Sequence, residues 1–165
     1  MEQAGSQRTS DHRVDAGRGD RRLALESVHA DPSVLTAVRH RIDGFAREIG
    51  WPPDTTTDVL LATYEALANV VEHAYPADER GTFDLLATYH HADGTLSVVI
   101  VDRGTWLPQS DDNSARRGQG LRLMRALCES VRVEPRDGGT EIELQWKSGN
   151  HRPLPLPGRE QQVDP

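Results

Sequence analysis

Four short stretches of the chain combine residue types that could do chemistry. In EALANVVEHAY, Glu65 to Tyr75, the polar residues Glu65, Asn69 and His73 recur four apart inside a segment that is apolar but for Glu72. In VDRG, Asp102 closes a hydrophobic run and Gly104 follows two positions later. In RRGQGL, Gly118 and Gly120 stand directly before an apolar helical pattern, where backbone N–H groups and the helix dipole can hold phosphate oxygens. In GGT, Thr140 opens the last strand-like segment.

A spacing of four stacks Glu65, Asn69 and His73 along one helix face, with Leu60, Leu61, Leu67, Val70 and Val71 expected on the side that meets a sheet. The polar stripe must then look into solvent or into a cleft. Alone, such a stripe is most often a solvated face. A lone Gly-x-Gly is equally weak, since a turn between loop and helix needs glycine for conformation alone. The order and spacing of all four stretches together are far more specific, and they favour the cleft.

The elements that must position these residues can be read around them. LALES alternates as a short half-buried strand does. DPSVLTAVRHRIDGFAREIG follows as a helix with Asp31 as cap, Pro32 at its first position and Gly50 at its end. After the WPP turn, Thr55 and Asp58 resemble a capping box for a second helix over about 56–74. FDLLATYHH and TLSVVIVD predict two antiparallel strands joined at Ala92-Asp93-Gly94. A polar loop is expected over 104–118, then a helix in GLRLMRALCESV and two strands, VRVEP and TEIELQW, about the turn Arg136 to Gly139. This order predicts an α+β two-layer sandwich, an antiparallel or mixed sheet with its helices on one face.

Composition bounds the reading. At 165 residues, 36% hydrophobic and 27% charged, the chain suits one core, expected over 22–147 between flexible ends 1–21 and 148–165. A formal charge of -7 gives no general drive toward a nucleic-acid backbone. The single cysteine, Cys128, excludes an internal disulfide and reads as a buried thiol on a helix. No apolar run approaches the ~20 residues that cross a bilayer, nor is there a secretory h-region, so a cytoplasmic protein is expected.

With these residues in place, the chain resembles the GHKL ATPase superfamily, and within it the anti-sigma factor serine/threonine kinases, through EALANVVEHAY, VDRG, RRGQGLRLMRAL and GGT. The resemblance implies the Bergerat-type ATP-binding fold and a role for each position. Asn69 would offer its amide oxygen to Mg²⁺, and Glu65 would be the general base for the attacking hydroxyl. Asp102 would accept a hydrogen bond from the adenine amino group, with Thr140 behind it and Gly104 leaving room for the ring. Gly118 and Gly120 would let the backbone approach the phosphates of ATP. Arg116, or Arg117 in its place, would reach the γ-phosphate. His73 matches a frequent family position but is taken as structural, held by a local hydrogen bond.

One departure stands out: the superfamily pattern DxGxG has Trp106 at its second glycine. The polar N-terminal 21 residues also cannot supply the phosphoacceptor helix of a histidine kinase. The resemblance therefore implies a small kinase that sequesters a sigma factor and phosphorylates a STAS-domain antagonist, with a homodimer as the family's usual state. The alternative is a catalytically weak ATP-binding module that switches protein partners.

Overall fold

The computed structural model describes residues 19–76, 81–105 and 114–149. The expected flexible ends fall for the most part outside these residues, as does Trp106. Strand β1 (Arg21–His29) leads through a 3₁₀ turn, Pro32–Val34, into α1 (Leu35–Glu48) and α2 (Pro53–His73). Strands β2 (Thr82–His90) and β3 (Thr95–Asp102) follow, then α3 (Ser114–Leu127), β4 (Ser130–Arg136) and β5 (Gly139–Lys147).

The five strands form one sheet in the order β1-β2-β3-β5-β4, every neighbouring pair antiparallel. Alternation sets which side chains face the helices. Register aligns Leu25, Leu85, Ile100, Ile142 and Val133 in one row across the sheet, and Leu23, Ala87, Val98, Leu144 and Val131 in the next. Apart from Val133, which is 40% exposed on the outer strand, these rows join the apolar stripes of all three helices in a single core, in which Leu85, Ile100 and Ile142 are at most 1% exposed. Full burial of such side chains stabilises by about 1.5–3 kcal/mol each, which makes this seam the main source of fold stability. The result is the expected α+β sandwich, with a sheet that is antiparallel throughout.

Local chemistry explains the helix ends. Asp31 Oδ1 accepts from the Ser33 backbone N–H at 2.8 Å, which caps the 3₁₀ turn ahead of α1. At its other end Gly50, with φ +70°, lets its N–H reach Arg47 O while Trp51 N–H reaches Ala46 O, a Schellman closure. Helix α2 departs from expectation. It begins at Pro53, not Thr56, and no side chain caps it. Proline needs no amide partner at the first position, and the Thr55 and Thr56 hydroxyls donate back to Pro52 O at 3.1 and 3.0 Å.

Because α2 lies between α1 and α3, its buried residues are Val59, Ala62, Thr63, Ala66, Leu67 and Val70, and all but Leu67 are small enough to allow close approach. Leu61, expected in the core, is 38% exposed on the opposite side. Helix α3 begins at Ser114, so Gly118 and Gly120 lie within it and the expected loop is shorter than 104–118. A glycine inside a helix costs only about 1 kcal/mol, and the flanking Ala115, Arg116, Arg117 and Leu121 are good helix formers. At the far end of α3, Trp146 Nε1 donates to Leu127 O at 2.9 Å and fastens the helix to β5.

A bulge interrupts β1 between Leu25 and Val28, where Ser27 adopts φ +52°. Its N–H donates to Asp84 Oδ1 at 2.7 Å, and the other Asp84 oxygen is paired with Arg103. Burial raises the Asp84 pKa, but the Ser27 amide and the Arg103 guanidinium outweigh it and hold the carboxyl below its usual range.

Candidate functional site

Helix α2 carries the first half of the site. Glu65 and Asn69 are half-buried on its polar stripe, and the helix facing them across the cleft is α3. At Gly120 a Cβ would meet Glu65 Oε2 at 3.3 Å and the Asn69 amide nitrogen and oxygen at 3.7 and 3.9 Å. The stripe therefore faces the α3 backbone at a glycine. A carboxylate and an amide, both able to offer hard oxygens, meet the backbone of α3 there.

His73 lies one turn beyond Asn69, its side chain 14% exposed. Its Nε2 is 3.7 Å from Glu72 Oε2, too far for a hydrogen bond, and its buried Nδ1 has no partner among the described residues. The expected local hydrogen bond is thus not made at Nδ1.

The sheet carries the second half. Along β3, alternate residues Leu96, Val98, Ile100 and Asp102 point to the helices, so the last of an apolar series is a carboxylate that is 2% exposed. Its Oδ1 accepts from Gly104 N–H at 3.0 Å, a turn that fixes the carboxylate against its own backbone. Thr140, 6% exposed, is the register partner of Asp102 on β5 and shares its face. Their adjacency depends on β5 being inserted between β3 and β4.

Glycines pack this end of the sheet. A Cβ on Gly139 would lie 1.9 Å from Asp102 O, so β5 can begin only where a side chain is missing. The vacant side of Gly104 is filled by α2, with Ala74 O 1.9 Å from where its Cβ would be. Tyr75 joins the same junction: its hydroxyl donates to Thr82 O and accepts from Arg103 N–H at 2.8 Å. In the sequence Ala74 and Tyr75 carry no functional assignment, and Gly139 reads only as part of a turn. The doubled glycine before Thr140 was the one available signal for Gly139.

Gly118 and Arg116 are placed on α3 by the backbone, in the helix that also carries Gly120. Among the described residues, no group of three or more His, Cys, Asp or Glu side chains could hold a metal, and no helix is long and apolar enough to cross a membrane.

The histidine kinase-like ATPase domain family matches this chain over residues 28–146. The chain belongs to that family. Within it, the serine-protein kinase RsbW of Bacillus subtilis is 28% identical over 136 residues, covering 74% of this chain and 84% of the relative. RsbW of Listeria innocua is 30% identical over 131 residues, covering 71% and 82%. Among solved structures, the RsbU and RsbW domains of Rv1364c from Mycobacterium tuberculosis superpose with a TM-score of 0.62 at 25% identity, covering 77% of this chain and 32% of that longer one. The histidine kinase domain of Erythrobacter litoralis EL346 shares the fold at a TM-score of 0.50 and 20% identity. A histidine kinase-like ATPase domain implies the use of ATP, and the relatives named as kinases point to phosphotransfer.

Proposed function

We propose that this protein is an ATP-dependent serine/threonine kinase of the anti-sigma factor type, which phosphorylates a STAS-domain antagonist and sequesters a sigma factor in the cytoplasm. The observation that carries this reading is the approach of Gly120 to Glu65 and Asn69, which sets a carboxylate and an amide in one cleft. A phosphoryl-transfer site needs mainly positioning and charge neutralisation, and this cleft supplies groups suited to both.

In this reading Asp102 accepts a hydrogen bond from the adenine amino group, and Thr140 supports it from β5. Because the carboxylate is already held by Gly104 N–H, little ordering remains to be done on binding. Asn69 presents an amide oxygen of the kind Mg²⁺ accepts, and an ion that keeps few protein ligands suits a single side-chain donor. Bound there, Mg²⁺ would neutralise charge on the phosphates. Gly118 and Gly120 bring the α3 backbone near them, and Arg116 on the same helix is the candidate to meet the γ-phosphate.

Glu65 is then the base. It takes the proton of the partner's serine or threonine hydroxyl as that oxygen bonds to the γ-phosphorus and ADP leaves. The relatives named as serine-protein kinases support a hydroxyl acceptor. Incubation of the purified protein with Mg-ATP and STAS-domain proteins from the same cell, followed by mass spectrometry, tests the reading. Phosphorylation of a single serine or threonine on one of them is the expected result. Tight ATP binding with no transfer to any STAS protein would leave the partner-switching module in its place.

A further inference from the structure

Tyr75 stands where the two halves of the site are joined. Its hydroxyl bridges Thr82 O, at the start of β2, and the N–H of Arg103, the residue directly after Asp102. Its ring covers Gly81 so closely that a Cβ there would lie 2.2 Å from ring carbons. The neighbouring Ala74 carbonyl occupies the space beside Gly104, whose own N–H is bonded to Asp102 Oδ1 at 3.0 Å. The two residues that follow Asp102 are therefore both pinned to residues 74 and 75, at the end of the helix that carries Glu65 and Asn69.

We propose that Tyr75 is a positioning residue for base recognition: its hydroxyl fixes the Arg103 amide, and through it the turn that aims the Asp102 carboxylate at the adenine amino group. The inference rests on the proposed adenine role of Asp102. Without the hydroxyl, Arg103 N–H loses its acceptor, and the turn keeps the Gly104 contact and the Arg103 side-chain bonds to Asp84 and Thr82 but no longer has its backbone tie to the end of α2. The carboxylate then samples directions that no longer match the exocyclic amine. The triphosphate end of the nucleotide, on the α2 and α3 side, is unaffected.

Replacement of Tyr75 by Phe keeps the ring on Gly81 and removes only the hydroxyl. Affinity for ATP and for ITP, which has an oxygen in place of the amino group, is measured by calorimetry for the parent, Tyr75→Phe and Asp102→Asn. The expected result is a parent that prefers ATP, and a Tyr75→Phe protein whose preference falls roughly three- to tenfold through weaker ATP binding, with ITP affinity within about twofold of the parent. A merely structural role would weaken both nucleotides alike or neither, and either outcome overturns the proposal. If Asp102→Asn keeps the full preference, the adenine reading fails and the proposal with it. If Asp102→Asn abolishes the preference and Tyr75→Phe leaves it intact, the role of Tyr75 alone fails. Gly81→Ala, which displaces the ring while leaving the hydroxyl in the protein, should lower the preference in the same way and serves as the second variant should Tyr75→Phe not fold.

Discussion

Gly104 and Ala74 pack main chain against main chain, so that a Cβ on the glycine would stand 1.9 Å from the alanine carbonyl oxygen. A contact this short cannot be relieved by a side-chain rotation; the end of α2 or the end of β3 must move. Gly104→Ala should therefore destabilise the fold by roughly 2–4 kcal/mol. It should also weaken ADP binding, because the turn that holds Asp102 shifts with it. Urea unfolding checks the first part and calorimetry the second, and parental values in both would show that the two elements are not rigidly joined.

Gly120→Ala separates packing from chemistry in the opposite direction. The added Cβ meets Glu65 Oε2 at 3.3 Å, a clearance that a small carboxylate movement can restore. Alanine in place of glycine inside a helix gains about 1 kcal/mol. The melting temperature should hold or rise. Phosphotransfer, which depends on where the Glu65 carboxylate sits, should drop by about tenfold or more. A variant that is both more stable and fully active would remove Gly120 from the site.

Glu65→Gln keeps the shape and helix propensity of the side chain but cannot take a proton. Binding of Mg-ATP, followed by thermal shift, should stay near the parent. Transfer to a serine-bearing partner should fall by ~10²- to 10⁴-fold, less if the transition state is strongly dissociative. Parental transfer rates would reassign Glu65 to orienting the metal or the nucleophile.

Cys128 should be inert in the folded protein. Burial first, and the nearby Asp58 carboxylate second, push its thiol pKa up to about 12. An unfolded thiol ionises near about 8.5, so the folded state holds this proton while the unfolded state releases it. The sign is that stability is fully present below about 8.5 and declines as pH rises toward 12. Iodoacetamide labelling at pH 8 should be slow in buffer and fast in denaturant. The residue is not the buried helical thiol expected, since it is half-buried and lies one position past the end of α3; rapid labelling of the native protein would contradict its raised pKa.

The sequence disclosed the element order and four of the site's segments, because strands and helices here carry clean apolar periodicity and because Asp102 interrupts that periodicity with a charge. It disclosed less where one residue serves two structural purposes. Pro53 reads as a breaker, yet it is the first residue of α2, and Thr55, which reads as a forward cap, bonds backward to Pro52 as Thr56 does. Gly118 and Gly120 read as the end of a loop, yet α3 runs through them. Leu61 belongs in the core only if α2 packs on a sheet alone, whereas two flanking helices also set the burial pattern of α2. Tyr75 carried no signal, since an aromatic at the end of an apolar helix looks like core until its hydroxyl is seen between Thr82 and Arg103. The closeness of Asp102 and Thr140 was legible only through the family resemblance, for nothing local specifies that β5 enters between β3 and β4.

That insertion has a consequence for how the protein is made. Strand β3 finds β2 through a short hairpin as soon as both have been synthesised, but its other edge waits for residues some forty positions later in the chain. Until Gly139–Lys147 emerges, a long apolar strand, Thr95–Asp102, keeps one row of backbone N–H and C=O groups unpaired and open to other chains. The order of translation thus puts the most aggregation-prone edge earliest and its cover last. Ribosome-bound chains halted before residue 139 should accordingly be the ones that chaperones capture and proteases clear.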